Sequence, residues 1–261
     1  MNISREEITA GKLTPPTLKN AVREFQDSGF VVLEQVVSPA QIEAVRVAYE
    51  SKFEKHIQKP EVKQRIESGN PYIGMHVPFE PPFSDPLICA NPLAMQVLEV
   101  VMGGDLICQF YHSNTTLPGS KDFQGIHIDM GSLVFPGFPV ALPPWLIVVN
   151  FPLIDFTVEN GATEVWPGTH LNTDPSDLIE RIPTMPSVRT AVSVGDLIIR
   201  DMRLWHRGAP NQLDRIRTML AIVYNRPWFK NSPPFVPMSR AVWEGLPEDV
   251  RHIYRDNPIL D

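Results

Sequence analysis

The chain has 261 residues, 43% of them hydrophobic, which is enough for a packed core and argues against intrinsic disorder. Its formal net charge is −7 and it has no dense run of Lys or Arg, which argues against an electrostatic grip on nucleic acid. Proline, at 27 residues, is roughly double its ordinary ~5% share and predicts many short elements joined by shaped loops, a β-rich body rather than a helical bundle.

In chain order, the stretch from Met1 to Pro16 is polar and lacks a leader-like apolar core. Leu18, Val22 and Phe25 then repeat at helical spacing up to Gly29, and a strand is expected over Phe30 to Val37. Ser38-Pro39 is a start signal for a helix running to about Ile57. Asn91-Pro92 repeats that signal ahead of Leu93, Val97, Leu98 and Val101, and Gly103-Gly104 stops it. From Asp105 the pattern changes to short strands bounded by Gly, Pro, Asn or Asp. They are expected over Leu106–His112, Gly125–Met130, Trp145–Phe156, Val188–Val194, Leu197–Asp201 and Thr218–Asn225. Residues 131–144 and 230–237 read as loops or lids at a barrel mouth, and Ser239 to Tyr254 as a helix or a pair broken at Gly245-Leu-Pro.

The expected fold is mainly β with flanking helices, a jelly roll, in one domain spanning 1–261. Its parts are a mostly helical 1–104, a barrel core over 105–229 and a C-terminal loop and helix over 230–261. Cys89 and Cys108 form no CxxC pair and read as buried free thiols of a reducing compartment. No run of about 18 apolar residues exists, so no membrane span is expected and the cytoplasm is the expected location. The expected partner is a small molecule, with a monomer or a homodimer equally open.

Chemistry concentrates in a few places. His127-Ile128-Asp129 is the sequence's one His-x-Asp, and on an extended segment its imidazole and carboxylate share a face while Ile128 points to the other. Two such ligands need a third on a neighbouring strand to complete the two-His-one-carboxylate face of non-haem iron(II) oxygenases. His206 stands 79 positions further on, far enough to cross several strands and return. Eleven positions beyond it is Arg217, at the root of the apolar run Thr218 to Tyr224. A guanidinium in that place needs an anion, and a dicarboxylate co-substrate would supply one. Arg215 has the same parity and competes for the role.

These residues resemble the phytanoyl-CoA dioxygenase family of iron(II)/2-oxoglutarate oxygenases, whose fold is a double-stranded β-helix. The likeness runs from about Phe25 to Trp228. It takes in His127-Ile-Asp129, Glu159-Asn160-Gly161 with Trp166-Pro167-Gly168-Thr169-His170, Gly195-Asp196, His206-Arg-Gly-Ala-Pro-Asn211 and Arg217, in the family's order. It implies an enzyme with iron(II), 2-oxoglutarate and O2 as cofactors, His127, Asp129 and His206 as metal ligands, and Arg217, favoured over Arg215, on the distal carboxylate. The asparagine, glycine and Trp-Pro-Gly positions read as turns, and His170 as structural. Two positions depart from the family pattern: Gly125-Ile126 ahead of the first ligand pair, and Gly208, where many members carry a Ser that touches the co-substrate.

The implied reaction oxidises an unactivated C–H bond and releases succinate and CO2. A carboxylate at Asp129, where the related halogenases have Ala or Gly, implies hydroxylation or another non-halogenating oxidation. Gln109 is a further candidate for the co-substrate, and His112 for the pocket wall. Met130, Phe135, Phe138, Trp145, Trp166, Trp228 and Phe229 are candidates for an apolar substrate pocket, with ordinary packing as the equal alternative. A hydrophobic or ring-containing metabolite is the expected substrate. The competing readings are a jelly-roll binding or regulatory protein without turnover and a cupin-type structural zinc or nickel protein.

Overall fold

The computed structural model describes residues 1–129, 142–172, 180–230 and 236–261. The loop expectations over 131–144 and 230–237, and the pocket candidates Met130, Phe135 and Phe138, lie largely or wholly outside them.

Helices α1 (Arg5–Ala10), α2 (Pro15–Ser28), α3 (Pro39–His56), α4 (Pro60–Glu67), α5 (Pro86–Cys89) and α6 (Pro92–Met102) come first in the chain. Their ends are set by local chemistry. Ser38 and Gln41 close a capping box on α3, Asn91 caps α6 with a Pro behind it, and α2 stops at Gly29, whose φ of 84° only glycine adopts readily. Two further helices, α7 (Arg240–Gly245) and α8 (Glu248–Tyr254), flank Leu246-Pro247, as the broken-pair reading expects. No helix among the described residues is long and apolar enough to cross a membrane.

The strands are β1 (Phe30–Leu33), β2 (Tyr72–His76), β3 (Ile107–Thr116), β4 (Leu146–Pro152), β5 (Glu164–Val165), β6 (Val188–Arg189), β7 (Leu197–Asp201), β8 (His206–Arg207), β9 (Arg217–Asn225), β10 (Met238–Ser239) and β11 (Ile259–Leu260). A six-stranded sheet runs β1-β7-β4-β9-β3-β2 and a three-stranded sheet runs β6-β5-β8. This is the jelly roll expected, with one change in its parts. The first 104 residues donate two strands, β1 and β2, which form both edges of the large sheet.

Side-chain alternation divides the large sheet into two faces. Ile147, Val149, Phe151, Leu197, Ile199, Leu220, Ile222, Tyr111 and Tyr224 pack into the main core with the helices. The other face looks toward the small sheet, and its middle is polar. Across the strands, Ile198 pairs with Asn150, Asn150 with Ala221, and Ala221 with His112. One row along, Met219 pairs with Asn114, which faces Gly74, and beyond them Arg217 pairs with Thr116, which faces Tyr72. Apolar clusters close this interior at both ends, one around Phe156 and Ile198, the other around Trp145, Val148 and Val223.

Of the expected strand at Gly125–Met130, the described residues 125–129 form only a single bridge, between His127 and His206. The backbone hydrogen bonds of this segment are the His127–His206 exchange and Asp129 N–H on Met202 O, rather than a ladder. Phe30–Val37 shortens to Phe30–Leu33 because the Asp196 carboxylate accepts the Gln35 N–H at 2.9 Å and turns the chain there.

Candidate functional site

A cavity of about 330 Å³ opens between the two sheets, and its lining includes His127, Asp129, His206, Arg200 and Arg217. The two histidines meet through backbone geometry. His127 N–H donates to His206 O at 3.0 Å and His206 N–H to His127 O at 2.9 Å, an antiparallel pair that exchanges both bonds. Residues so paired place their side chains on one face, and the two rings lie 4.4 Å apart between centroids. Asp129 follows two residues on, with its N–H on Met202 O at 3.2 Å. The alternating residues on either side of His127 point away from the cavity: Ile126 and Ile128 pack on the cluster of Trp166, Trp205 and Ile182.

One ligand atom from each of His127, Asp129 and His206 lies within 4.8 Å of the other two, close enough for one metal ion to reach all three. Asp129 Oδ1 is 3.7 Å from His127 Nε2 and 3.5 Å from His206 Nε2. His127 Nδ1 sits 2.8 Å from Gly125 O, and His206 Nδ1 sits 2.9 Å from Leu204 O. A carbonyl only accepts, so each Nδ1 carries the proton and each Nε2 turns a lone pair to the cavity. Arg200 Nη1 also approaches His206 Nδ1, at 3.3 Å, but a guanidinium only donates, so the shorter carbonyl contact decides the tautomer. Burial and the Arg200 charge lower the His206 pKa, which keeps the ring neutral.

Arg200 is a cavity-lining residue that sequence reasoning missed. It is 6% exposed and its Nη2 donates to Asp129 Oδ2 at 2.6 Å. Burial works to raise the Asp129 pKa, but the charge of Arg200, helped by His206, outweighs it and holds the carboxyl well below the ordinary range. The signal was present as a lone cation inside Leu197-Ile-Ile-Arg-Asp, the same kind of feature that singled out Arg217.

Arg217 is 2% exposed, and its guanidinium lies 4.8 Å from the Phe156 ring centroid. Its Nε has no hydrogen-bond partner and no ion pair to it occurs among the described residues. Burial pushes its pKa down to about 10. A buried cation left this way is costly unless a ligand anion reaches it, and a carboxylate of 2-oxoglutarate meets that requirement. The rival Arg215 is exposed, in the turn before β9.

The remaining candidates fall differently. His112 lines the cavity; burial, with His76 beside it, pushes its pKa down to about 4. Gln109 sits at a bulge where the β3 register slips between Cys108 and Phe110, and it is buried but does not line the cavity. The bulge leaves His112, Asn114 and Thr116 on the inner wall instead. The aromatic pocket expectation is likewise corrected for the described residues. Trp145 packs under the Arg203 guanidinium at 4.9 Å, Trp166 belongs to the outer cluster beneath Ile126 and Ile128, and Trp228 is 64% exposed. Phe229 packs in the Trp145 cluster. None of the four lines the cavity, whose described wall mixes polar and apolar surface about evenly. His170 is structural: its Nε2 contacts Gln26 O at 3.1 Å and its ring packs against Gly29.

The phytanoyl-CoA dioxygenase (PhyH) family model matches residues 25–219. The chain belongs to that family. It is accordingly an oxidoreductase, an iron(II)- and 2-oxoglutarate-dependent dioxygenase that uses O2. A curated relative, Dioxygenase af480 of Aspergillus fumigatus, is 28% identical over 216 residues, 80% of this chain and 67% of the relative. Among solved structures, the non-haem alpha-ketoglutarate-dependent carbocyclase SnoK from nogalamycin biosynthesis superposes with a TM-score of 0.63 at 22% identity, covering 83% of this chain and 85% of its own. The epimerase SnoN in complex with Fe3+, alpha ketoglutarate and nogalamycin RO gives 0.60 at 17% identity over 81% and 84%. At these identities the two structures support the fold.

Proposed function

We propose that His127, Asp129 and His206 hold the iron(II), that Arg217 binds the distal carboxylate of 2-oxoglutarate, and that the enzyme hydroxylates or otherwise oxidises an unactivated C–H bond of a small molecule. The observation that carries this reading is Arg217, a buried and unmatched guanidinium on the wall of the cavity into which the three donors converge. When bound, iron and 2-oxoglutarate supply the oxidising power, with release of succinate and CO2.

The chain's own residues position and shield. Gly125 O and Leu204 O hold each Nδ1 proton, leaving the Nε2 lone pairs for the metal. Arg217 orients the co-substrate as a two-point donor, and Phe156 beneath it excludes water. His112, Asn114, Asn150 and Gln124 on the wall favour a substrate that carries hydrogen-bonding groups beside the oxidised carbon, in place of a purely apolar one.

Anaerobic addition of iron(II) and 2-oxoglutarate tests the site. A weak visible band near ~500 nm should form as the co-substrate chelates the metal. A substrate screen should then yield succinate together with a product heavier by one oxygen atom. No band, and no succinate with any candidate, would overturn the proposal.

A further inference from the structure

Asp129 has two carboxylate oxygens, and the structure gives them different surroundings. Oδ1 faces both imidazole Nε2 atoms, at 3.7 and 3.5 Å. Oδ2 is held by Arg200 Nη2 at 2.6 Å. Arg200 is the penultimate residue of β7, paired with Phe30 on one side and Val148 on the other, and is buried. Its ion pair among the described residues is with Asp129 alone. Its second nitrogen reaches over His206. A guanidinium on a strand interior is a rigid mount compared with the extended but ladder-free segment that carries Asp129.

We propose that Arg200 is a positioning residue that restricts Asp129 to one metal-binding oxygen, keeping three positions on the ion open. The inference rests on the metal reading above. A free carboxylate beside a divalent ion can turn and chelate through both oxygens, which would occupy a position that the bidentate 2-oxoglutarate needs. Arg200 opposes that turn by engaging Oδ2. It also places a positive charge next to the site, which weakens bare metal binding. Arg200 therefore gives up some metal affinity to keep the co-substrate positions open.

This predicts effects of opposite sign, which damage to the fold would not produce. In Arg200→Met, anaerobic titration should show iron(II) bound at least as tightly as in the wild type. The 2-oxoglutarate dissociation constant, read from the visible band, should rise at least about tenfold, as for the loss of one charged contact. Arg200→Lys retains a donor and a charge for Oδ2 and should recover most of the wild-type co-substrate affinity. Arg200→Gln, whose shorter amide stops short of Asp129, should behave as the Met variant does and replaces it if the Met variant does not fold. Parallel loss of metal and co-substrate in folded variants, or unchanged 2-oxoglutarate binding in them, would overturn the role of Arg200. Absence of the band in the wild type would instead refute the metal reading itself.

Discussion

The Arg217 guanidinium lies on the Phe156 ring, 4.8 Å from its centroid, with Nε lacking any acceptor. A cation–π contact of ~1–2 kcal/mol offsets only part of the cost of burying that charge. Burial lowers its pKa. It falls from 12.5 to about 10, so at neutral pH the fold bears the cost of the charged form, which persists until pH rises through the lowered value.

Arg217→Met should therefore raise the stability of the ligand-free protein by about 1–2 kcal/mol while weakening 2-oxoglutarate by at least about 30-fold, the loss of a buried charge pair. Thermal melts with and without 2-oxoglutarate and metal check both halves. The wild type should gain stability from the co-substrate and the variant should not. A variant that is less stable when empty would contradict the account of Arg217 as a strained, ligand-seeking cation.

Gly208 makes room for a neighbour. A Cβ there would stand 2.5 Å from Tyr72 Cε1, and the Tyr72 hydroxyl donates to Gly208 O and Asp122 O. The Gly208→Ser change, which restores the residue common in the family, should cost about 1–3 kcal/mol here because the ring must move. Combining it with Tyr72→Ala should remove most of that penalty, so a double-mutant cycle in denaturant should show strong coupling. Additive effects would mean that the close approach is relieved elsewhere.

Much of this was legible because it is local. Ser38-Pro39 and Asn91-Pro92 mark helix starts through caps and proline geometry that need no tertiary context, and Leu197–Asp201 stands as a strand where its apolar run lies. β2 was hidden because Gly74 interrupts it, and the reason for that glycine is distant: a Cβ would meet His112 Cε1 at 2.2 Å. β5 and β8 are two residues each, too short for periodicity. Arg200 escaped notice because its partner Asp129 lies 71 positions away and nothing local reveals the pairing. The aromatic residues looked like pocket walls by composition, yet which face a Trp takes depends on strand parity and on partners such as Arg203 and Ile128.

His112 makes stability respond to acid. Its pKa is held at about 4 against 6.5 in the unfolded chain, by burial first and then by His76, His56 and Arg65 around it. A lowered histidine keeps its full contribution above pH 6.5 and loses it as pH falls toward 4, where the unfolded chain takes up the proton more readily. Denaturant melts should show stability dropping over that window, and His112→Asn should remove about 1–2 kcal/mol of the drop, the linkage value discounted for partial exposure. An unchanged slope would place the acid sensitivity in other buried histidines such as His170.

Ile128 links the outer apolar cluster to the proposed metal site. It alternates with His127 and Asp129 and packs on Trp166 and Trp205, so the position of the two donors depends on a contact on the far side of the chain. No ladder holds this segment; its described anchors are the His127–His206 exchange, the Asp129 N–H on Met202 O, and this packing. Ile128→Ala should cost about 1–2 kcal/mol of global stability, less than a fully buried truncation. Its larger effect should be on metal binding, since Asp129 would sample positions away from the imidazoles. Titration with cobalt(II) as an optical probe should show weaker binding in Ile128→Ala and near wild-type binding in Ile128→Val, which keeps the branched contact. If both variants bind metal as the wild type does, the bridge to His206 is sufficient by itself to hold the donors.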